Sequence, residues 1–396
     1  MKITGLEAFT ADGGWRPFCF LKMTTDEGLV GWAEFTESQR NKGLSTVIKA
    51  MGDRVIGQDP RAWAKLTAIL YAGTRLSFGG MNQQALAAIE NCCLDIAAQA
   101  AGVPVHALFG GALRERVPLY WSHCGNFRVR HARFFNEVLG VPPLDSLDAV
   151  KALGREVRAR GFSAAKTSPV LFTEEGPRTV NPGFIPAGMD FAWRADAAVV
   201  SGIIDQLMAF RDGLGDDAAL MMDVNFSFKP EALRRVARAA EPACLAWMEM
   251  DLHDPAALAL VRGGTTTPIA SCESLLGRRA CRPYFEAQAM DVAIVDVAWN
   301  GLAESVRIAA QAETYEVNVA PHSANGPLHD LMSAHFAAAV PNLHIMEIEV
   351  DDVPWKDDFL TSPRRIEAGE IIVPTGSGWG ATINEDALAA RPWRGH

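Results

Sequence analysis

The sequence lacks any long hydrophobic run. None of its apolar stretches reaches about 18 residues, the length that a membrane-spanning helix needs. The opening residues, MKITGLEAFT, contain no apolar segment of the kind that a secretion signal requires. Neither membrane spanning nor secretion is therefore expected, and we predict a cytoplasmic protein.

Paired cysteines and an excess of positive charge are also missing. The seven cysteines follow no paired spacing, and Cys92 and Cys93 are adjacent in a helical pattern, so we expect buried free thiols rather than a disulfide framework. Lys and Arg number 37 against 47 Asp and Glu, which gives a formal net charge of −10. Since no basic stripe is available to contact phosphates, a nucleic-acid partner is not predicted.

What is present is the composition of a large globular protein, with 49% hydrophobic and 21% charged residues among 396. A β/α barrel takes roughly 250 residues, so this length accommodates a barrel and a second module. The first part of the chain predicts that second module. It reads as a three-stranded antiparallel meander with a turn at residues 26–28, followed by helices at about 43–57, 60–73 and 82–101.

From about residue 117 short apolar strands alternate with longer amphipathic helices, a pattern typical of β/α repeats. Eight strands are predicted, the number that a closed parallel barrel requires. They are VPLYWS, SAAKTS, AALMMDVN, CLAWMEM, PIASCES, VAIVDVAW, VNVAPHS and LHIMEIE. Residues 169–190 are rich in Pro and Gly, and so long an irregular stretch inside a compact domain predicts a functional loop.

Acidic residues end three successive strands of the predicted barrel. Asp223, Glu249 and Glu273 each close an apolar run and lie about one β/α unit, roughly 25–30 residues, apart. Because the carboxyl ends of barrel strands meet at one rim, three hard oxygen ligands at that rim predict a Mg²⁺ site. Ionisable side chains end four other strands, in the order Lys166, Asp296, His322 and Glu347.

This ordered set resembles the enolase superfamily, and within it the mandelate racemase and muconate lactonizing enzyme branch. The similarity covers nearly the whole chain and includes GFSAAK before Lys166, DVN at Asp223, ASCES at Glu273, APH at His322, IME at Glu347 and the closing GSGWG. The resemblance implies an α/β fold, a modified TIM barrel of the (β/α)7β type at 117–350. An N-terminal α+β capping domain at 1–116, completed by about 351–396, would cover it.

The resemblance also implies roles for these side chains. The three carboxylates would bind one Mg²⁺ that acts as a Lewis acid on the substrate carboxylate. His322 would be a general base, with Asp296 behind it to fix the tautomer and stabilise the imidazolium. Glu347 would stay protonated, because other negative charges crowd it, and would donate a hydrogen bond to the developing enolate.

The second barrel strand departs from the pattern of many relatives. These carry Lys-x-Lys, with the second lysine as a base opposite the histidine, whereas this sequence has Lys166, Thr167 and Ser168. Racemisation by two bases needs a competent base on each face, and serine has no accessible pKa for this proton transfer. Elimination needs one base, because His322 can take the α-proton and then protonate a departing β-hydroxyl. Lys166 would be an electrostatic partner of the substrate carboxylate or of the metal ligands.

Several further residues are predicted to bind substrate. His123 ends the first barrel strand, where it could contact substrate or act as a second acid or base, and Ser168 and Asn225 lie at the same rim. Two glycine-rich loops of the cap, at 12–16 and 74–80, carry Arg16 and Arg75. Such loops can close over a polar ligand and exclude water.

We therefore predict a Mg²⁺-dependent lyase that dehydrates an acid sugar, an aldonate or aldarate, to a 2-keto-3-deoxy acid through an enolate. Epimerisation, racemisation or cycloisomerisation through the same enolate is the alternative. A non-catalytic binding relative is a more remote one. The substrate is a small carboxylate, and the resemblance implies a homo-oligomer, either a dimer or an octamer.

Overall fold

The structure is a computed structural model that describes residues 1–38, 41–180 and 195–395. Its strands are β1 (Ile3–Asp12), β2 (Pro17–Thr25), β3 (Val30–Phe35), β4 (Arg116–Ser122), β5 (Ala164–Thr167), β6 (Val170–Thr173), β7 (Gly176–Thr179), β8 (Ala219–Asp223), β9 (Trp247–Glu249), β10 (Ile269–Ser271), β11 (Val292–Val295), β12 (Asn318–Pro321), β13 (Met346–Glu349), β14 (Ile366–Glu367) and β15 (Glu370–Ile372).

The helices complete the described elements. They are α1 (Leu44–Gly52), α2 (Trp63–Gly73), α3 (Gly80–Ala101), α4 (Asn126–Arg130), α5 (Leu147–Ala159), α6 (Ala197–Leu214), α7 (Pro230–Ala239), α8 (Pro255–Arg262), α9 (Arg278–Glu286), α10 (Val297–Asn300), α11 (Leu302–Glu313), α12 (Pro327–Ala339) and α13 (Glu385–Ala390). In the described part of the chain, none of them is long and apolar enough to span a bilayer. All seven cysteines are free, and six are buried.

The N-terminal module is the predicted antiparallel meander covered by three helices. β1, β2 and β3 pair in that order, and α1, α2 and α3 enclose a separate hydrophobic cluster against the sheet. α3 is buried over most of its length, because it packs on β3 on one side and on α10 of the barrel on the other. The predicted helix at 43–57 is shorter in the structure, since α1 ends at Gly52.

The eight predicted strands form a closed parallel barrel. Neighbouring strands pair in the order β4, β5, β8, β9, β10, β11 and β12, and β13 pairs with β4. Closure between β12 and β13 comes from Val319, whose N–H donates to the Asn342 carbonyl and whose carbonyl accepts from His344 N–H, both at 2.8 Å. Seven strands are followed by helices and the eighth is not, so the (β/α)7β prediction is confirmed.

Strand alternation fixes which side chains reach the rim. The barrel interior is filled by a separate apolar cluster that includes Tyr120, Ala164, Met221, Trp247, Ile294 and Ala320. Side chains two positions further along a strand point to the same face. The corresponding positions are Ser122, Lys166, Asp223, Glu249, Asp296 and His322. A packed apolar floor therefore lies beneath the predicted catalytic residues, at the carboxyl ends of the strands.

The predicted loop at 169–190 is partly regular. Residues 170–179 form the β6–β7 hairpin, which packs on α6 and α4, and residues 181–190 lie outside the described residues. The C-terminal segment then contacts both modules. β15 pairs antiparallel with β4, and Trp379 returns to the cap, where its indole N–H donates to the Trp32 carbonyl at 2.8 Å.

Candidate active site

A cavity of about 780 Å³ lies between the carboxyl ends of the barrel strands and the cap. The cap contributes Trp15, Arg16 and Ser38 to its walls, and the barrel contributes most of the predicted site residues. These are His123, Lys166, Ser168, Asp223, Asn225, Glu273, His322 and Glu347. A polar site roofed by a second module can exclude water from a bound substrate.

The three predicted ligands meet at this rim. One carboxylate oxygen from each of Asp223, Glu249 and Glu273 lies within 4.8 Å of the others. Burial raises the pKa of Asp223 to about 6 and those of Glu249 and Glu273 to about 7. Asp223 and Glu249 are buried and Glu273 is half-buried, and three such carboxyl groups that crowd one another are costly to ionise without a cation.

The unused hydrogen-bonding capacity of this cluster fits a metal ion. Glu249 Oε1 is buried and has no hydrogen-bond partner in the described part of the chain, whereas Glu249 Oε2 accepts from Trp247 Nε1 at 3.2 Å. An orphaned buried carboxylate oxygen beside two further carboxylates is a donor set that suits a hard divalent cation such as Mg²⁺. The residues present therefore fit the metal that the sequence predicts.

Lys166 is held by two carboxylates. Its Nζ lies 2.9 Å from Glu249 Oε2 and 3.0 Å from Glu347 Oε1, and its side chain is buried. Burial alone would lower the pKa of Lys166, but the two carboxylates raise it well above its ordinary value. These contacts favour the charged ammonium form of Lys166.

His322 pairs with Asp296 as the sequence predicts. Its Nδ1 lies 2.6 Å from Asp296 Oδ2, and its Nε2 lies 3.5 Å from Glu273 Oε1. Burial lowers the pKa of His322, but the charges of Glu273, Glu347 and Asp296 outweigh it and raise the value to about 10. With Nδ1 bound to a carboxylate, Nε2 is the ring nitrogen left for a ligand in the cavity.

Asp296 is fixed by its own contacts. Its Oδ1 accepts from the N–H groups of Ala298 at 2.6 Å and Trp299 at 3.0 Å, which caps α10. His329 Nε2 also lies 3.2 Å from this oxygen. Burial would raise the pKa of Asp296, but His329 and His322 hold it below its ordinary value, so the carboxylate stays ionised.

Glu347 differs from the prediction of a protonated donor. Its Oε1 accepts from Ser122 Oγ and lies near Lys166 Nζ, and its Oε2 accepts from Ser323 N–H at 3.0 Å. Burial would raise the pKa of Glu347, but Lys166 and His322 hold it well below its ordinary value. Because Ser122, Ser323 and Lys166 offer its oxygens donors and a cation, Glu347 is an acceptor in this structure.

The predicted substrate-binding residues separate into two groups. Ser168, Asn225, His123 and Arg16 line the cavity. Arg16 is committed to its protein partners, since it donates to the Ala324 carbonyl and pairs with Asp352 at 2.7 Å. Arg75 is exposed in the cap, outside the residues that line this cavity, so the structure does not bring it to the site.

The sequence matches two family profiles that together span most of the chain. Residues 9–110 match the mandelate racemase and muconate lactonizing enzyme N-terminal domain, and residues 148–387 match the enolase C-terminal domain-like family. The chain belongs to the enolase superfamily.

Curated relatives of this enolase-superfamily chain include enzymes named for acid sugars. It is 28% identical over 390 residues to a D-gluconate dehydratase of Thermoproteus tenax, covering 95% of this chain and 70% of that one. It is 29% identical over 390 residues to a D-galactonate dehydratase family member of Streptomyces bingchenggensis, covering 95% and 90%.

Among solved structures, a Burkholderia xenovorans protein provisionally named an L-alanine-DL-glutamate epimerase is 40% identical to the superfamily member described here. The TM-score is 0.95, over 99% of this chain and 98% of that one. A second crystal structure of that protein holds magnesium and fumarate, with the same TM-score and identity over 99% and 96% of the two chains.

Sequence reasoning missed several residues of this superfamily site. The Trp299 ring contacts that of His322 at a tilt of 41°, with centroids 5.0 Å apart, and His329 lies behind Asp296. Glu349 pairs with His123. A signal existed for Glu349 alone, because it lies two residues after Glu347 on β13 and must share that residue's inward face.

Proposed function

We propose that this protein is a Mg²⁺-dependent dehydratase of an acid sugar, an aldonate or aldarate, which yields a 2-keto-3-deoxy acid. The observation that carries the proposal is the asymmetry of the site. His322 and Asp296 form a base on one side of the cavity. Lys166 is paired with Glu249 and Glu347, so it is a positive charge and not a second base. One base suffices for elimination and does not suffice for two-base racemisation.

The substrate carboxylate would lie beside the acidic cluster and Lys166, which contact each other through Glu249. A bound Mg²⁺, held by Asp223, Glu249 and Glu273, would supply Lewis-acid stabilisation of the charge that develops on the carboxylate when the α-proton leaves. Lys166 adds a second fixed cation at the same end of the cavity, and its buried ammonium strengthens that interaction because little water screens it.

The α-proton would go to Nε2 of His322. Asp296 keeps Nδ1 protonated and stabilises the imidazolium in front of it. The charge of Glu273 helps to raise the pKa of His322 in the metal-free protein, and a Mg²⁺ held by Glu273 would offset that charge, so that the neutral imidazole could present the Nε2 lone pair to the α-proton. The same Nε2 then holds the proton that a departing β-hydroxyl needs to leave as water. Glu347, an acceptor in this structure, would keep Lys166 charged and in place rather than donate to the enolate.

The residue at the position of the second base in many relatives also favours elimination. Ser168 occupies the position where a second lysine would be a base, and its backbone is bound to Asn126 through Ser168 N–H to Asn126 Oδ1 at 2.7 Å. Gln206 also donates to the Ser168 carbonyl at 3.1 Å. No lysine or carboxylate stands at this position to serve as a base.

The names of the relatives also support dehydration of an acid sugar. Two curated relatives are named for dehydration of gluconate or galactonate, and the Burkholderia protein holds a carboxylate together with magnesium. Epimerisation is the second candidate. It is favoured by the provisional name of that protein and by His123, a further histidine in the wall of the cavity.

A screen of acid sugars tests the proposal. The protein is incubated with D-gluconate, D-galactonate and other aldonates and aldarates, with Mg²⁺ or with a chelator, and 2-keto-3-deoxy acids are measured. We expect product from one sugar or a few, only with Mg²⁺. α-Proton exchange without a keto acid from any sugar would favour epimerisation, and activity in the chelator would contradict both candidates.

A further inference from the structure

A second histidine–carboxyl pair faces the same cavity as His322 and Asp296. His123 Nδ1 lies 2.9 Å from Glu349 Oε2 and 3.3 Å from Ser122 Oγ. His123 is at the carboxyl end of β4, and Glu349 is on the neighbouring strand β13, two residues beyond Glu347. With Nδ1 occupied, Nε2 is the ring nitrogen left for a ligand.

Within the described part of the chain, no lysine or arginine lies at ion-pair distance from Glu349. Its side chain is fully buried, and its Oε1 has no hydrogen-bond partner within the described residues. The nearest cations are engaged elsewhere, since Arg16 pairs with Asp352 at 2.7 Å and Lys356 lies 3.1 Å from the same carboxylate. An ionised carboxylate with one neutral donor and one orphaned oxygen would be expensive to bury.

Burial favours the neutral form of both members of the pair, and the neighbouring charges act in both directions. Burial raises the pKa of Glu349 well above its ordinary value, and Asp351 and Asp352 add to the rise while Arg16 and Lys356 oppose it. Burial lowers the pKa of His123 to about 3, with Lys166, His322 and Arg16 acting in the same direction and Glu347 against it.

The backbone and the cavity wall hold the ring in one orientation. His123 adopts a positive φ of 43°, a conformation that a residue with a side chain keeps only where its surroundings impose it. Its ring stacks on Phe127, with centroids 4.8 Å apart and planes at 29°. The ring is thus fixed by a stack, a hydrogen bond and a strained backbone.

We propose that His123 and Glu349 hold one proton between them and present His123 Nε2–H to the cavity as a fixed hydrogen-bond donor for an oxygen of the bound acid sugar. Glu349 is the positioning residue. A carboxylic acid donates to Nδ1 and leaves the proton of the neutral ring on Nε2, and transfer of the shared proton to Nδ1 keeps Nε2–H in place. The pair therefore binds substrate and is not a second base.

The two pairs in the cavity share a contact between a histidine Nδ1 and a carboxyl group, but the two carboxyl groups differ in their other contacts and in their proposed function. Asp296 accepts from two backbone N–H groups as well as from His322, so it is an acceptor that keeps a proton on Nδ1 of His322 and makes Nε2 the nitrogen that can gain or lose one. Among the residues that the structure describes, no backbone N–H donates to Glu349, so it is a donor that leaves a hydrogen on Nε2 of His123. The identity of the bound oxygen rests on the proposed function, but the position of the proton does not.

Nuclear magnetic resonance of histidine side chains tests the position of the proton directly. The protein is labelled with ¹⁵N in its nine histidines, and the His123 signals are assigned by their loss in His123→Phe. We expect a protonated Nε2 from pH 6 to 8. An unprotonated Nε2 beside a protonated Nδ1 would overturn the proposal, whatever the enzyme turns over.

Matched variants test the contribution of each residue to substrate binding. His123→Phe keeps the stack and removes the donor, so kcat/KM for the acid sugar should fall about 10- to 100-fold, mostly through KM. In Glu349→Leu, kcat/KM should fall by a similar factor, because the tautomer of His123 is no longer fixed. Glu349→Gln should rescue most of that loss, because its amide also donates to Nδ1, whereas an acceptor role for Glu349 predicts no rescue.

The failure of this inference is distinguishable from failure of the proposed function. If no acid sugar yields a keto acid, the dehydratase proposal fails and the ¹⁵N signal of His123 still decides where the proton lies. If a keto acid forms and kcat/KM falls as much in Glu349→Gln as in Glu349→Leu, the donor role of Glu349 is contradicted and the dehydratase proposal stands.

Discussion

His322 Nδ1 lies 2.6 Å from Asp296 Oδ2, and the same carboxylate caps α10 through its other oxygen. The base is thus oriented by a group that is itself fixed by the helix that follows its strand. Since β11 and β12 are neighbours in the barrel, with Val295 opposite Pro321, the pair needs no long loop to bring it together. Orientation of this kind lowers the cost of reaching a reactive geometry.

Asp296→Asn should abolish most turnover while the fold persists. The amide would favour the wrong tautomer of His322 and could not stabilise the imidazolium, so we expect kcat to fall about 10³- to 10⁴-fold with little change in KM. Asp291→Asn is the matched control, because Asp291 lies at the other end of the same strand and pairs with Arg262 at 2.7 Å. A loss in kcat of equal size in both variants would contradict a specific role for Asp296.

Lys166→Met should destabilise the metal-free protein and should be partly compensated by Mg²⁺. The substitution keeps the volume of the side chain but leaves Glu249 and Glu347 buried without their cation, at a cost of about 3–5 kcal/mol. Thermal unfolding is measured with and without Mg²⁺. Tm should fall without the metal and recover more on its addition than in the wild-type protein. An unchanged Tm without metal would show that the ion pairs are dispensable.

Mg²⁺ affinity should increase as pH rises through the range of the ligand carboxyl groups. Burial places the pKa of Asp223 near 6 and those of Glu249 and Glu273 near 7, above the values of about 4 in an unfolded chain.

The folded protein therefore binds more protons than the unfolded chain between about pH 4 and 7. Its metal-free stability should decrease as pH rises through that window.

The metal must displace those protons, so its dissociation constant should fall between pH 5.5 and 8. Isothermal titration calorimetry with Mg²⁺ in buffers of different ionisation enthalpy measures both the affinity and the number of protons released. A dissociation constant that does not vary with pH would mean that the three carboxyl groups are already ionised in the metal-free protein.

Trp379→Ala should loosen the junction between the C-terminal segment and the cap. The indole is fully buried and donates to the Trp32 carbonyl, and its backbone N–H is bound by Asp95 at 3.2 Å. Removing a buried tryptophan costs about 3–5 kcal/mol, which should appear as a lower midpoint in denaturant unfolding. Trp393→Ala, on a less buried indole of the same segment, should cost less.

The barrel could be predicted from the sequence because strand periodicity and rim chemistry agree. The apolar residues Ala164, Met221 and Trp247 precede Lys166, Asp223 and Glu249 by two positions, so one pattern specifies both the packed floor and the polar rim. The family motifs then identified the partners. Asp296, and not Asp291, could be assigned as the partner of His322, because the carboxyl end of a strand reaches the rim and its start does not.

Protonation states and cap loops were harder to predict, because both depend on contacts between distant segments. Glu347 was expected to donate, but Ser122, Lys166 and Ser323 surround it with donors and a cation. Arg75 and Arg16 looked equivalent as arginines on glycine-rich loops. Only the fold shows that Arg16 lies in the cavity wall while Arg75 is exposed.

The central claim, one base that drives elimination, is tested most directly by turnover in D₂O with Mg²⁺. An acid sugar that reacts is incubated to partial conversion, and both the remaining substrate and the product are characterised by nuclear magnetic resonance. We predict a 2-keto-3-deoxy acid, together with remaining substrate whose configuration at the α-carbon is unchanged. Accumulation of the α-epimer with deuterium at that carbon and no keto acid would contradict the account.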